Sequence, residues 1–344
     1  MGESDQPSPA ANPARRAGRV SEGGGHPEPA VTGRHLCLVG PTAAGKSDVA
    51  LEVAHASRGV PRKWGPFEIV SVDSMGVYRG MDIGTAKPSI ADRRLVPHHM
   101  IDLVEPWEEY SLSLFQSDVA SCIAGIESRG GRALLVGGTG LYLRAVVDGL
   151  TPPGRWPEIA SQLEAECERQ GPEFLHSRLA RLDPVGASRM EPTNARRILR
   201  ALEVTVGSGR PFSSFGPGLT TYPECPFVLV GVDSSRLDDR IASRVGAQMD
   251  EGFLGEVAGL RCSLAASGRD WSKTAAQALG YRELIEHLDG ETSLPEAVDA
   301  IVQRTRRFAR RQRRWFRRDP RIRWVDAEGQ PGREVATLAG ILVK

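Results

Sequence analysis

Lysine is scarce in this chain. Lys46, Lys63, Lys87, Lys273 and Lys344 are the only lysines among 44 basic residues, the rest being arginine. Such a bias can follow from genome composition, so an arginine cluster carries meaning here only where spacing or context adds something. Basic residues are matched by 43 acidic ones, and a net charge of +1 excludes a globally basic protein. Any nucleic-acid binding must come from local patches. Cysteine is sparse as well: Cys37, Cys122, Cys167, Cys225 and Cys262 are scattered, with none of the close pairs a zinc site needs. Reduced thiols in a cytoplasmic protein are the expectation. No run of about 18 apolar residues occurs, so no membrane-spanning helix is expected. Residues 1–33 hold no apolar stretch suited to a signal peptide, and their Pro, Gly and Ser content predicts a disordered tail.

What is present is enough for a sizeable core: 344 residues, 40% of them hydrophobic, with room for two domains or one domain carrying an insertion. "HLCLVGPTAAGKSDVALEVAHA" reads as a buried strand, a glycine-rich turn and a helix starting near Lys46. "FEIVSVD" and "RALLVGG" read as two further buried strands. Strands separated by helical stretches predict an α/β fold, a parallel sheet flanked by helices, with ligands at the carboxyl ends of the strands. After residues 34–150 the texture changes: "TPPG" breaks the chain, and residues 151–225 are expected to form a mainly helical insertion. "CPFVLVGVD" then restores a strand, so residues 226–344 are read as a return strand and C-terminal helices.

"GPTAAGKS", Gly40 to Ser47, fits the phosphate-loop pattern in its required strand-to-helix setting. Its glycines, Gly40 and Gly45, and the backbone of Pro41, Thr42, Ala43 and Ala44 would cradle phosphate oxygens, Lys46 would add positive charge, and Ser47 can hold Mg²⁺. A di- or triphosphate ligand follows, but nothing selects ATP. Asp73, ending the second strand, suits two roles equally: an acid supporting Mg²⁺, or a general base facing the polar loop "DSMGVYRGMDIGTAKP". In "VGGTG" the glycines permit close backbone approach and Thr139 offers a hydroxyl; alone, the stretch is equally a tight turn with a capping threonine. His98 and His99 are adjacent, lack a ligand-spaced third partner and read as structural, hydrogen-bonding histidines. Arg196 and Arg200, one helical turn apart beside Arg197, can reach one anion or form a solvated face. In "IVQRTRRFARRQRRWFRRD" the residues Ile301, Thr305, Phe308, Gln312 and Trp315 predict an inward stripe, and the arginine-crowded remainder would suit a phosphate backbone.

Taken in order from about Arg34 to Asp319, "GPTAAGKS", "DSMGVYRGMDIGTAKP", "HHMID", "GGTGLYL", "RRILRALEV", "LGYRELI" and "RRFARRQRRWF" resemble the tRNA dimethylallyltransferase (tRNA isopentenyltransferase) family, bacterial type. The resemblance implies a P-loop NTPase-like fold with a helical insertion domain, acting as a monomer on the tRNA anticodon stem-loop. It also implies that the phosphate loop and Mg²⁺ hold the diphosphate of dimethylallyl diphosphate, and that the N6 amine of the adenosine 3′-adjacent to the anticodon is alkylated. Asp73 matches the family's general base and Thr139 a threonine touching the target nucleotide. Asp73, Ser74, Met75 and Gly76, and Arg196, Arg197 and Arg200, lie on stretches associated with tRNA contact, and Arg240 looks like an arginine gripping the diphosphate. The loop after Asp73 would wall a channel in which a flipped-out adenosine meets the allylic diphosphate. Two departures stand out: Gly76 occupies the place of the family's usual glutamine, and "EPTNARR" differs from the usual pattern before the arginines. A small-molecule kinase, a prenyltransferase of free adenine nucleotides and a non-catalytic RNA-binding ATPase are the competing classes.

Overall fold

The computed structural model describes residues 35–59, 65–215, 219 and 221–340. The expected tail of residues 1–33 lies outside them. Strand β1 (His35–Val39) is buried throughout because its alternate residues serve opposite faces. Leu36 and Leu38 join Val49 and Val53 of α1 (Lys46–Ala56) on one side; Cys37 and Val39 join Leu135 and Leu229 on the other.

The chain continues through β2 (Phe67–Ser71), α2 (Ile90–Leu95), β3 (His98–His99), α3 (Leu112–Ser128), β4 (Arg132–Gly137) and α4 (Gly140–Val147). Four helices follow: α5 (Pro157–Gln170), α6 (Pro172–Leu182), α7 (Pro184–Ala187) and α8 (Ala195–Ser208). Then come β5 (Phe227–Asp233), α9 (Leu237–Asp250), α10 (Phe253–Ala266), α11 (Tyr281–Leu288), α12 (Leu294–Phe316), β6 (Arg323–Asp326) and α13 (Pro331–Leu338). The six strands pair in parallel in the order β3-β2-β4-β1-β5-β6. The carboxyl ends of β1, β2, β4 and β5 therefore share one edge, which brings the phosphate loop, Asp73, Thr139 and Asp233 to the same side of the sheet.

The four long apolar runs form the strands expected of them. β3 and β6 are additional, and both lie at sheet edges where two or four residues suffice and no apolar run is needed. His98 and His99 are tied by hydrogen bonds, Nδ1 of His98 lying 2.8 Å from the Val96 carbonyl and Nε2 of His99 lying 2.7 Å from Glu68. Helices α5 to α8 enclose their own apolar cluster around Leu163, Leu175, Leu179, Ile198 and Leu202.

Helix α12 corrects the expected stripe. It buries Ile301, Ala309, Gln312 and Phe316, while Thr305, Phe308 and Trp315 stay half-buried. Trp315 nevertheless packs against the core beside Gly140, so the inward face keeps Ile301, Gln312 and Trp315 of the expected stripe and adds Ala309 and Phe316.

Candidate active site

The phosphate loop is built around backbone that only certain residues permit. Gly40 packs so close to β5 that a Cβ there would stand 2.1 Å from the Val232 carbonyl oxygen. Ala43 adopts a left-handed φ of 61°, and Gly45, at φ 89°, opens α1 with no side-chain cap. The first-turn amides of α1 are thus left for an anion. Lys46 folds back, its Nζ donating to the Pro41 carbonyl at 2.7 Å. Burial, then the nearby Arg244 guanidinium, push the Lys46 ammonium down to about 7, with Asp73 pulling the other way. Ser47 is exposed at the mouth of the loop. Arg240 reaches the loop too: its Nη2 lies 2.9 Å from where a Cβ on Gly45 would stand, and its Nη1 is 3.5 Å from Glu328.

Arg244, one turn beyond Arg240 on α9, is a site residue that the sequence did not single out. It is half-buried, its charge is disfavoured by burial, and Asp73 is the first of the carboxylates that offset this. Lys46, Arg244 and Asp73 thus form one electrostatic group at the ends of β1 and β2.

Asp73 uses Oδ1 to accept the Met75 amide at 2.8 Å, and Ser74 N–H points at Thr139 Oγ1 at 3.4 Å. The rest of the loop after Asp73 is packed rather than free. Val77, Tyr78 and Met81 are fully buried, and Lys87 Nζ donates to Asp82 at 2.8 Å and Asp102 at 2.6 Å. Glu256 of α10 accepts the amides of Asp82 at 2.9 Å, Ile83 at 2.7 Å and Gly84 at 3.2 Å, and the Tyr281 hydroxyl at 2.5 Å. The first turn of the loop, Asp73 to Met75, keeps half-buried side chains, and Gly76 after it is buried. Tyr142 of α4 borders this turn; burial first, then Tyr78, push its phenol up to about 12 against the pull of Arg155, and Asp73 adds to the rise.

Of the glycines of "VGGTG", Gly137 permits the close backbone approach expected, a Cβ there standing 2.1 Å from the Val72 carbonyl oxygen, while Gly138 and Gly140 meet side chains. A Cβ on Gly138 would stand 2.2 Å from Gln312 Nε2, and one on Gly140 2.2 Å from Trp315 Nε1. They make room for two side chains of α12, while Thr139 between them opens α4 with no side-chain cap bond.

The arginines separate into two groups. Arg200 donates to the carbonyls of Pro153 at 2.8 Å and Gly154 at 3.0 Å and pairs with Glu203 at 2.7 Å. It ties α8 to the segment before α5, whereas Arg196 and Arg197 are exposed. Arg313 of α12 and Arg317 just past its end pair with Asp233 at 2.7 and 3.0 Å, and Arg310 lies 3.7 Å from Asp238. Arg307, Arg311 and Arg314, followed by Arg318 just past the helix end, keep a 4-3-4 spacing on an exposed face and have no ion-pair partner among the described residues. The basic face of α12 is therefore narrower than its composition indicates.

No helix among the described residues is long and apolar enough to cross a membrane. Residues 76–319 match the family model described as IPP transferase. The chain is 44% identical over 293 residues to the tRNA dimethylallyltransferase of Kineococcus radiotolerans, covering 85% of this chain and 90% of the relative. It is also 44% identical over 311 residues to that of a Nocardioides species, covering 89% and 96%. The crystal structure of the full-length tRNA isopentenylpyrophosphate transferase from Bacillus halodurans superposes with a TM-score of 0.61 at 34% identity, covering 89% of this chain and 94% of that one. On the matched residues and these relatives, the chain belongs to the IPP transferase family.

Proposed function

We propose that this protein transfers a dimethylallyl group from dimethylallyl diphosphate to the N6 amine of the adenosine 3′-adjacent to the anticodon in tRNA. The observation that carries this reading is the meeting of the phosphate loop, Asp73 and Thr139 at one edge of the parallel sheet, with the Ser74 N–H 3.4 Å from the Thr139 hydroxyl. Gly40 to Ser47, with Arg240 and Arg244, would hold the diphosphate. The amine nitrogen attacks the allylic carbon, the carbon–oxygen bond to diphosphate breaks with its electron pair, and the amine proton passes to Asp73. Lys46 and the arginines stabilise charge growing on the leaving diphosphate. Thr139, Ser74, Met75 and Gly76 lie where the nucleoside would enter, and the exposed Arg196, Arg197 and α12 arginines suit the phosphate backbone.

The residues present also fit Mg²⁺. The hydroxyl of Ser47 is exposed at the start of α1, and this ion favours one or two protein oxygens with waters and substrate phosphates completing its shell. When bound, Mg²⁺ would neutralise diphosphate charge. Acting on tRNA, the enzyme would work in the cytoplasm, and a single chain carries every residue named here.

Incubating the protein with Mg²⁺, labelled dimethylallyl diphosphate and either bulk tRNA or AMP tests the proposal. Label in tRNA alone is the expected result. Label in AMP would place the protein among nucleotide prenyltransferases, and ATP turnover without prenyl transfer among RNA-binding ATPases.

A further inference from the structure

Gln312 is a buried polar side chain near the carboxyl end of α12, and both ends of its amide are used. Its Oε1 accepts the Thr42 backbone N–H of the phosphate loop at 2.8 Å, and its Nε2 donates to the Gly138 carbonyl at 2.9 Å. No other side chain among the described residues bonds both loops. The fit leaves no slack: Gly138 lacks a Cβ at the spot that Nε2 fills, and such a Cβ would also stand 3.4 Å from the Gly40 carbonyl oxygen. Thr139, which faces Ser74, adjoins Gly138, and Lys46, whose Nζ donates to the Pro41 carbonyl beside Thr42, lies four residues further along the phosphate loop. A glutamine needed only to satisfy its own amide would find partners on its own helix or in solvent. This one joins two loops that are about 100 residues apart in the chain.

We infer that Gln312 is a positioning residue that locks the diphosphate loop to the nucleotide-facing loop and so sets the distance between the allylic carbon and the attacking amine. The inference rests on the prenyl-transfer reading above. An amide is suited to the task because it supplies one acceptor and one donor in a rigid plane, matching one loop N–H and one loop C=O. Near-attack geometry is sensitive to such a spacer, since a misplacement of about 1 Å can cost on the order of 10²-fold in rate. The exposed arginines Arg311 and Arg314 lie within two residues of Gln312, so RNA docking on α12 would press on the same linkage.

Two single variants and their combination test this. Gln312→Ala removes the bridge. Gly138→Ala leaves the glutamine in place but forces its amide out of the space a Cβ requires. In the double variant the shortened side chain relieves that clash. Single-turnover transfer at saturating donor and tRNA should fall on the order of 10²-fold in Gln312→Ala, with KM for tRNA unchanged and inorganic diphosphate affinity altered less than about 10-fold. Gly138→Ala should show the same split, and the double variant should be no slower than Gln312→Ala. A merely structural glutamine would lower the thermal midpoint and leave the saturated rate of the folded fraction at wild type. Wild-type rate in either single variant, or rate reductions that multiply in the double, would overturn the inference. Wild-type protein that transfers no prenyl group in the same assay would instead strike the reading on which it rests.

Discussion

Arg313 lays its guanidinium along Asp233, with Nε at 3.0 Å and Nη2 at 2.7 Å from Oδ1. Arg317 occupies the other carboxylate oxygen at 3.0 Å and stacks over Trp324 at 4.0 Å. These two arginines join α12 to the end of β5. They are therefore poor candidates for releasing counterions from RNA, whereas Arg307, Arg311, Arg314 and Arg318 are free to do so.

Neutralising the two sets should have opposite effects. Replacing Arg307, Arg311 and Arg314 with glutamine should reduce the slope of log affinity for tRNA against log salt by about 0.7–0.9 for each phosphate that is no longer neutralised, with stability nearly unchanged. Arg313→Gln should leave most of that slope and cost about 1–3 kcal/mol of stability, below the figure for a fully buried pair because Arg313 is 36% exposed. Filter binding across a salt series and denaturant unfolding separate the two. A flattened slope in Arg313→Gln alone would reverse the assignment.

Lys46 should make diphosphate binding depend on pH. Its ammonium titrates near 7 in the free protein, and a bound anion favours the charged form, so binding raises that pKa and takes up a proton. Affinity for Mg²⁺-diphosphate should fall as pH rises above about 7, and Lys46→Met should abolish the dependence. Calorimetry in buffers of different ionisation enthalpy measures the uptake directly. Affinity independent of pH between about 7 and 9 would contradict this.

The carboxylate of Glu256 should carry much of the order in the loop after Asp73. Glu256→Gln replaces one acceptor oxygen with an NH₂ group facing backbone N–H groups, which should cost about 1–3 kcal/mol. Hydrogen exchange at Asp82, Ile83 and Gly84 should rise with it. Unchanged exchange there would mean that Lys87 and the buried Tyr78 hold the loop unaided.

How much of this could be read from residues alone depends on how local the cause is. The phosphate loop was legible because Gly40, Gly45 and Lys46 act through backbone geometry and neighbours in sequence. The four long strands were legible from apolar runs, and β3 and β6 were not, because edge strands need none. Arg244 was hidden by the arginine bias and by Arg240 one turn earlier on the same helix. The pairing of Arg313 with Asp233 spans 80 residues, and no local pattern records it. Gly138 and Gly140 announced a close approach, but not that side chains of α12 make it.

Gly76 is buried, yet a Cβ there would meet only ordinary van der Waals neighbours, 3.7 Å from Ser71 Oγ and 3.8 Å from Asp73 Cβ. A side chain at this position would start beside Asp73. Gly76→Gln should therefore fold and gain a hydrogen bond to the nucleoside of about 0.5–1.5 kcal/mol, raising kcat/KM for tRNA without changing donor affinity. Reduced kcat/KM would mean that the space beyond Cβ is already filled by substrate.

Asp73→Asn addresses the central claim most directly. Asparagine keeps the shape and the acceptor for the Met75 amide but cannot take the amine proton. Single-turnover prenyl transfer to tRNA, measured across a magnesium titration together with donor affinity, is the measurement. Transfer should fall on the order of 10²–10⁴-fold, with donor binding nearly unchanged and no recovery at high magnesium. Weakened donor binding with rate restored by magnesium would contradict it and make Asp73 a support for the metal.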